Sequence, residues 1–273
     1  MTGPSDTVET DTMTGRDTPD DAPTVSVVTP SYNQAEYITD TIESVQRQTY
    51  DPVEHVVVDG DSDDGTVGIL EEHDDAITWV SEPDEGQSDA INKGFDMVDG
   101  DIVGWLNSDD VYFDTRTLER VVAHFERTGA DVVYGDIALL DVDLNARKVY
   151  TVPEFDYDKL LRYCFIEQPA LFFRSHVLEG ERLDTELVYV MDYEFWLRLS
   201  RDYEFRHVDD VLAGDRNHPQ RKMLDNRETL RAEGRKMARS YGATDPETLQ
   251  YRLARVRDGL TSGVPRRLSA IRK

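Results

Sequence analysis

Ile102-Val103-Gly104-Trp105-Leu106-Asn107-Ser108-Asp109-Asp110 is the stretch on which the reading of the fold turns. An apolar run of strand length stops abruptly at four polar residues, the pattern of a buried strand that ends at a surface. Two adjacent carboxylates at the carboxyl end of such a strand concentrate negative charge where open α/β sheets bind ligands. Hard oxygen donors suit Mg²⁺ or Mn²⁺, ions that also engage substrate phosphates. Read alone, in a chain this acidic, the stretch is accounted for equally well by a solvated acidic turn.

The flanking sequence alternates strand-like and helix-like segments. Val25–Thr29 is followed by a helix from about Gln34 to Gln48, then Val53–Asp59, a helix near Thr66–His73 and Ile77–Val80. A third helix over roughly Gln87–Val98 leads into the strand Ile102–Leu106. This order, with β-branched strands, predicts an α/β fold with a parallel, doubly wound sheet. Asn33 followed by Glu36 resembles a capping box, and Ile38, Ile42 and Val45 share one helical face. Further on, Asp114 can cap a helix through about Arg127, and Asp131–Tyr134 reads as a core strand. Shorter segments follow: Ala138–Val142, Lys148–Val152, a helix near Tyr157–Tyr163, Pro169–Arg174, and a helix from about Tyr193 to Arg201. They predict a mixed α+β half laid against the parallel half and continuous with its sheet.

Three units are expected. Residues 1–23 have almost nothing to bury and read as a disordered acidic leader. Residues 24–220 form the main domain, and residues 221–273 a C-terminal helical extension that is basic toward its end. Arg252, Arg255, Arg257, Arg266, Arg267, Arg272 and Lys273 make that end either a solvated helical face or an element that touches a membrane surface.

Composition narrows the class. The 273 residues carry 30 Lys+Arg against 56 Asp+Glu, a net charge of −26, which excludes reliance on nonspecific nucleic-acid attraction. Only six of the 30 basic residues are lysines. Strong acidity with little lysine points to a halophilic cytoplasm, where molar salt cuts the Debye length to about 3 Å and mutes self-repulsion. The single Cys164 rules out an intrachain disulfide framework and a metal knuckle. No apolar run approaches the ~18–20 residues of a membrane span, and the acidic amino terminus is no secretory signal. A soluble, cytoplasmic protein is expected.

Polar residues collect after the early strands. Thr29-Pro30-Ser31-Tyr32-Asn33 is a rigid turn carrying an aromatic ring. In Asp59-Gly60-Asp61-Ser62-Asp63-Asp64-Gly65-Thr66 the glycines allow unusual backbone angles, and Asp59 and Asp61 can accept hydrogen bonds from ribose hydroxyls or base N–H groups. After the third strand, Ser81 to Asp89 leads into Ala90-Ile91-Asn92-Lys93-Gly94, where Lys93 either meets a phosphate or makes a structural salt bridge. The Asp59–Thr66 stretch is not a calcium loop, because Leu70 stands where the bidentate Glu belongs and a strand precedes it. No G-x-G-x-x-G, P-loop or nucleophile elbow is present.

Val25 to Asn33, Val58 to Thr66, and Gly100 to Asp110 together resemble family 2 glycosyltransferases of the GT-A fold over about residues 24–220. The order and spacing of the three motifs make the resemblance specific. Ser81-Glu82-Pro83-Asp84 through Lys93-Gly94 resembles a subgroup that transfers single sugars. The resemblance implies an inverting, hexosyltransferase-like enzyme of glycan biosynthesis that uses a nucleotide-diphosphate sugar and Mn²⁺ or Mg²⁺. By position, Pro30 and Tyr32 would border the nucleobase and Asp59 with Asp61 would contact base or ribose. Gln87, Asn92, Lys93, Asn107 and Asp109 complete the implied donor set. Asp109 and Asp110 match the acidic metal-and-ribose motif, and either carboxylate, with a lean to Asp110, would hold the metal. Asn107 departs from the commoner pattern, which has Asp there; Asn can still bond ribose but brings no charge.

Val190-Met191-Asp192-Tyr193-Glu194-Phe195-Trp196 resembles the segment that supplies the family's catalytic base, Asp192. Inversion needs one carboxylate to take the acceptor hydroxyl's proton, and a helix amino terminus favours its ionised form. The alternative is that Asp192 is only an N-cap. Glu194 would not share its helical face, and Phe195, Trp196, Leu197 and Leu199 read as core. Glu167-Gln168-Pro169 either lines the acceptor pocket or begins a strand. Arg216, His218 and Arg221 are candidates to close over the diphosphate, with His218 either a third metal ligand or a surface residue. The expected acceptor is a glycan or, on the basic tail, a lipid-linked one with peripheral contact at the cytoplasmic membrane face. A nucleotidyltransferase and a non-catalytic sugar-nucleotide-binding scaffold are the alternatives. The first lacks its Gly-rich basic loop between Pro30 and Gln34. A processive synthase is disfavoured, since membrane spans and a Gln-x-x-Arg-Trp motif are both missing.

Overall fold

The computed structural model describes residues 22–221 and 227–243. The expected disordered leader and basic tail therefore fall almost wholly outside the described residues.

The four strands expected in the first half form and pair in parallel. They are β1 (Val25–Ser31), β2 (Val53–Asp59), β3 (Thr78–Ser81) and β4 (Ile102–Trp105). Every residue of β1 and β4 is buried, which is why both read as continuous apolar runs. Helices α1 (Ile38–Gln46), α2 (Thr66–Glu72) and α3 (Gln87–Met97) connect them. α3 lies unusually close to the sheet, because a Cβ added at Gly94 would stand 2.3 Å from Val28 Cγ1 on β1. That contact carries Gln87, at the helix start, to the strand ends.

The second half joins the same nine-stranded sheet, in the order β3-β2-β1-β4-β8-β6-β9-β5 with β7 paired to β6. Its strands are β5 (Val111–Tyr112), β6 (Val132–Leu140), β7 (Ala146–Tyr150), β8 (Leu171–Arg174) and β9 (Phe205–Arg216). β8 lies antiparallel between β4 and β6, and β9 runs parallel to β6. The helices are α4 (Thr117–Thr128), the short α5 (Tyr157–Leu160), α6 (Met191–Leu199) and α7 (Arg227–Ser240). One face of the sheet buries an aromatic cluster with Trp105, Phe173, Phe195 and Trp196; the other packs Leu118, Val121 and Phe125 of α4.

Several expected boundaries move. Asp131–Tyr134 and Ala138–Val142 were expected as separate strands, yet β6 is continuous through Gly135-Asp136. The register against β9 shifts there, so the apparent turn is a bulge within the strand. The capping box at Asn33 does not form. α1 starts at Ile38, Asn33 takes a φ of 52°, and its side chain accepts the Asp63 N–H instead. α6 begins two residues earlier than expected, at Met191.

β1 lies between β2 and β4, so the chain's connections leave it in opposite directions. Such a switch point opens a crevice at the carboxyl ends of the strands.

Candidate functional site

A cavity of about 780 Å³ occupies that crevice. The parallel half contributes Pro30, Ser31 and Tyr32 at the end of β1, Gly60 and Asp61 after β2, Asp84 and Gln87 before and in α3, and Asn107 to Asp110 after β4. The mixed half closes the other side with Gln168, Val188, Tyr189, Met191, Asp192, Gln220 and Arg221.

Hydrogen bonds between turns hold the first wall. Asp59 is fully buried, and its carboxylate accepts from Ser62 N (2.9 Å), Ser62 Oγ (2.6 Å) and Ser81 Oγ (2.8 Å). It ties the end of β2 to the end of β3 from beneath the lining. Asp64 accepts from Ala35 N and Thr66 N, each at 3.0 Å. Burial works to raise the Asp64 pKa, but the bond from the Thr66 hydroxyl first, and then these two, hold it below the ordinary carboxylate value. Asp61, with a φ of 65°, is exposed in the cavity wall, and Tyr32 is 63% exposed there.

The acidic pair is held unequally. Asp110 is 5% exposed; its Oδ1 accepts the Arg216 N–H at 3.1 Å, and its carbonyl accepts the Thr41 hydroxyl at 2.7 Å. Burial first, then the charges of Asp109 and Asp215, push its pKa well above the usual carboxylate value. Asp215 is also raised by burial, against the pull of Arg221, whose guanidinium pairs with it at 2.7 Å. Asp109 Oδ2 lies 2.8 Å from His218 Nε2. That bond raises the His218 pKa against burial, and Gln220 Oε1 faces the other ring nitrogen at 3.1 Å.

Among the described residues no group of three or more His, Cys, Asp and Glu is gathered as a metal centre. The residues nevertheless fit a hard dication. Asp110 is a buried carboxylate crowded by like charge, and Asp109 lies next to it at the cavity wall. Mg²⁺-like ions are commonly held by one or two carboxylates, the remaining positions going to water and substrate phosphates.

Asn107 sits in a directed network. Its Oδ1 accepts from Trp105 Nε1 (2.9 Å) and Gln87 Nε2 (3.0 Å), and its Nδ2 donates to Gln168 Oε1 at 2.8 Å. Gln168 in turn donates to the Trp105 carbonyl. Asn107 thereby joins the two walls as well as lining the cavity.

Asp192 lines the cavity from the first turn of α6, where the helix dipole favours negative charge. Val190 rather than Asp192 occupies the cap position, and Asp192 Oδ1 accepts the Tyr193 N–H at 2.7 Å. Glu194 faces away, buried against Arg198 at 3.0 Å and bonded by the Tyr241 hydroxyl.

The structure thus brings Pro30, Tyr32, Asp61, Gln87, Asn107, Asp109, Asp110 and Asp192 to one cavity. Asp59, Asn92 and Lys93 are not in its lining. Asn92 exchanges two hydrogen bonds with the Leu183 backbone, at 3.0 and 2.9 Å. Lys93 pairs with Glu82 at 2.9 Å and Asp89 at 3.4 Å. Arg216 is buried against Asp40 and the Tyr37 ring, outside the lining, while His218 is buried rather than at the surface. Sequence reasoning quoted Asp84 in a motif without giving it a role, and did not find Asp215, Val188, Tyr189 or Gln220. Asp215 and Gln220 flank the Arg216 and His218 it did weigh, but nothing local marks them; only the pairing of β9 with β6 and β5 places them there.

The model of Glycosyl transferase family 2 matches residues 26–180, more than half of the chain. An uncharacterized glycosyltransferase of Rickettsia prowazekii is 28% identical over 212 residues, 72% of this chain and 65% of that protein. A PGL/p-HBAD biosynthesis glycosyltransferase of Mycobacterium tuberculosis is 32% identical over 158 residues, 56% of this chain and 60% of that protein. The chain therefore spans less than two thirds of either relative. Among solved structures, S. aureus TarS 1-349 in complex with UDP-GlcNAc aligns with a TM-score of 0.66 at 20% identity, covering 87% of this chain and 71% of that one. The mannosyltransferase PcManGT of Pyrobaculum calidifontis, in complex with GDP-Man and Mn²⁺, aligns with a TM-score of 0.62 at 21% identity, covering 82% and 66%. The fold is the GT-A fold expected from the sequence, and on the span of the family match the chain belongs to glycosyl transferase family 2.

Proposed function

We propose that the chain transfers a single hexosyl unit from a nucleotide-diphosphate sugar to an acceptor hydroxyl with inversion, and that Asp192 is the general base. One observation carries this reading: a single cavity has a nucleotide-type turn and an acidic pair on one wall and a helix-terminal carboxylate on the other. The ligands in TarS and PcManGT, UDP-GlcNAc and GDP-Man, support a sugar-nucleotide donor.

Pro30, Gly60 and the Tyr32 ring receive the base, and Asp61 accepts from ribose. Asp109 and Asp110 would hold Mn²⁺ or Mg²⁺, which supplies positive charge against the leaving diphosphate. Arg221 adds a fixed cation from the facing wall. Asp192 takes the proton from the acceptor hydroxyl as its oxygen attacks the anomeric carbon from the face opposite the diphosphate. The new C–O bond forms as the old one breaks, and the nucleoside diphosphate leaves with the electron pair.

The test is a thermal-shift panel of UDP, GDP, CDP and dTDP sugars with Mn²⁺ and with chelator, followed by product analysis. Nucleoside diphosphate release supports the reading. Pyrophosphate release would identify a nucleotidyltransferase, and binding without turnover a scaffold. Asp110→Ala should abolish the Mn²⁺-dependent part of the shift; normal metal-dependent binding moves the metal to other residues.

The acceptor is proposed to be a glycan or a lipid-linked one, the latter met at the cytoplasmic membrane face. No described helix is long and apolar enough to cross a membrane. The net charge of −26 supports a salt-rich working environment, and Tm should rise between low and molar KCl.

A further inference from the structure

Asp192 stands on a segment that has little regular structure of its own. Residues 179–190 form no helix or strand, so their backbone N–H and C=O groups need partners from elsewhere. On one side α3 provides them: Asn92 exchanges its two bonds with Leu183, and Ser88 Oγ reaches the Leu187 carbonyl at 3.4 Å. On the other side stands α7. The Glu233 carboxylate accepts the Val188 N–H at 3.0 Å through one oxygen and the Tyr189 N–H at 2.7 Å through the other. Val190, next in sequence, faces Gly234, where an added Cβ would stand 3.7 Å from Val190 Cγ1. Beyond Asp192, the Tyr241 hydroxyl donates to Glu194. Met237 is buried in the cluster that holds Phe195 and Trp196.

We propose that α7 belongs to the framework of the active site, with Glu233 as the positioning residue that fixes Val188-Tyr189 and thereby Asp192. The proposal rests on the reading of Asp192 as the base. α7 grips the chain on both sides of that residue, and it lies beyond the residues 26–180 that match the family model. Two consecutive N–H groups bound by one carboxylate are charge-assisted bonds, stronger than neutral ones. A Gln at 233 offers one acceptor oxygen and turns a donor toward the second N–H. The contact also fixes the cavity rim, because Val188 is 46% exposed and lines the cavity beside Asp192.

The experiment uses the full chain with Mn²⁺ and measures hydrolysis of UDP-glucose, UDP-N-acetylglucosamine and GDP-mannose, with water in place of the acceptor. Glu233→Gln should lower kcat about tenfold at unchanged donor KM, and Glu233→Ala further. Backbone amide exchange at Val188 and Tyr189 should quicken in both variants while Tm stays near wild type. A kcat unchanged in Glu233→Gln despite faster exchange overturns the proposal, as does a donor KM that rises with the loss of kcat. Asp192→Asn in the same assay separates the two readings. If it turns over like wild type, the reading of Asp192 fails and the proposal with it. Faster exchange then records a structural clamp alone.

Discussion

The two walls of the cavity are built by opposite means. The parallel wall comes mainly from three strand ends, those of β1, β2 and β4, whose lining residues are contiguous: Pro30 to Tyr32, Gly60 and Asp61, Asn107 to Asp110. The turns after β1 and β2 are braced by their own side chains or by those of the neighbouring turn, as Asp59 is by Ser62 and Ser81. In the mixed wall, Gln168, Asp192 and Arg221 come from separate elements joined by long connections. Their supports are also distant, as Glu233 is from Val188. Damage to the first wall should therefore stay local and damage donor binding, whereas damage to the second should reach chemistry with donor binding intact.

The largest expected effect tests that division directly. Asp192→Asn should lower turnover by about 10³-fold, within the range a general base contributes. The donor-induced thermal shift should keep its size. A variant that loses donor binding together with turnover would show that the two walls are not separable in this way.

Next in size is the contact that sets α3 on β1. Gly94→Ala places a methyl carbon 2.3 Å from Val28 Cγ1, and Val28 is fully buried with a stiff, branched side chain. Overpacking of this kind should cost about 2–3 kcal/mol, measured by urea denaturation. Gln87 rides on the displaced helix, so donor affinity should fall with stability while kcat at saturating donor holds. Full stability in Gly94→Ala would mean that α3 can shift without consequence, and the parallel wall is looser than its hydrogen bonds suggest.

The same contrast explains what could be read from the sequence. Ile102 to Leu106 announces a buried strand and Asn107 to Asp110 its polar end, because both signals are local and periodic. Gly135-Asp136 misleads for a physical reason. It has turn composition, but it forms a bulge whose partner strand β9 begins about 70 residues later. Asn33 and Glu36 carry cap-like spacing, yet Asn33 bonds Asp63 and Glu36 accepts from Gln220, and only the folded chain places those partners there. Asp59 has the right type and place for a ligand contact, but Ser62 and Ser81 occupy its carboxylate. The place of Asp192 in the cavity wall matches its place in the family pattern; the grip of Glu233 on the segment before it had no local signal.

Asn107 joins the two walls, so its substitution sharpens the comparison. Asn107→Asp turns the donor that faces Gln168 Oε1 into an acceptor. Rotating the Gln168 amide would then aim its oxygen at the Trp105 carbonyl it now donates to. One acceptor–acceptor contact remains in either arrangement, and the expected cost is about 1–2 kcal/mol in urea denaturation. Both donor affinity and kcat should fall, unlike in the two variants above. An Asp variant as stable and active as wild type would show that the walls are coupled by some other contact.

The smallest effect lies within the mixed half, away from the cavity. His207 Nε2 is 3.2 Å from the buried Asp136 carboxylate, whose Oδ1 also accepts the Val152 N–H at 3.0 Å. Glu154 approaches the other ring nitrogen at 3.7 Å, and the Tyr134 ring lies 5.5 Å away. Burial lowers the His207 pKa, but the hydrogen bond and charge of Asp136, with Glu154 behind them, bring it above the ordinary value of 6.5. A histidine whose folded pKa exceeds its unfolded one stabilises fully below the unfolded value, and that stability is lost as pH rises through the folded one. Tm should therefore fall modestly as pH rises from about 6.5, and His207→Gln should flatten that part of the profile. Because the pair joins β6 to β9 and not to the cavity, donor affinity should not follow the same curve. A donor affinity that tracks the His207 titration would tie the far side of the mixed sheet to the cavity, and the contrast between a locally braced wall and a distantly braced one would then extend across the whole domain.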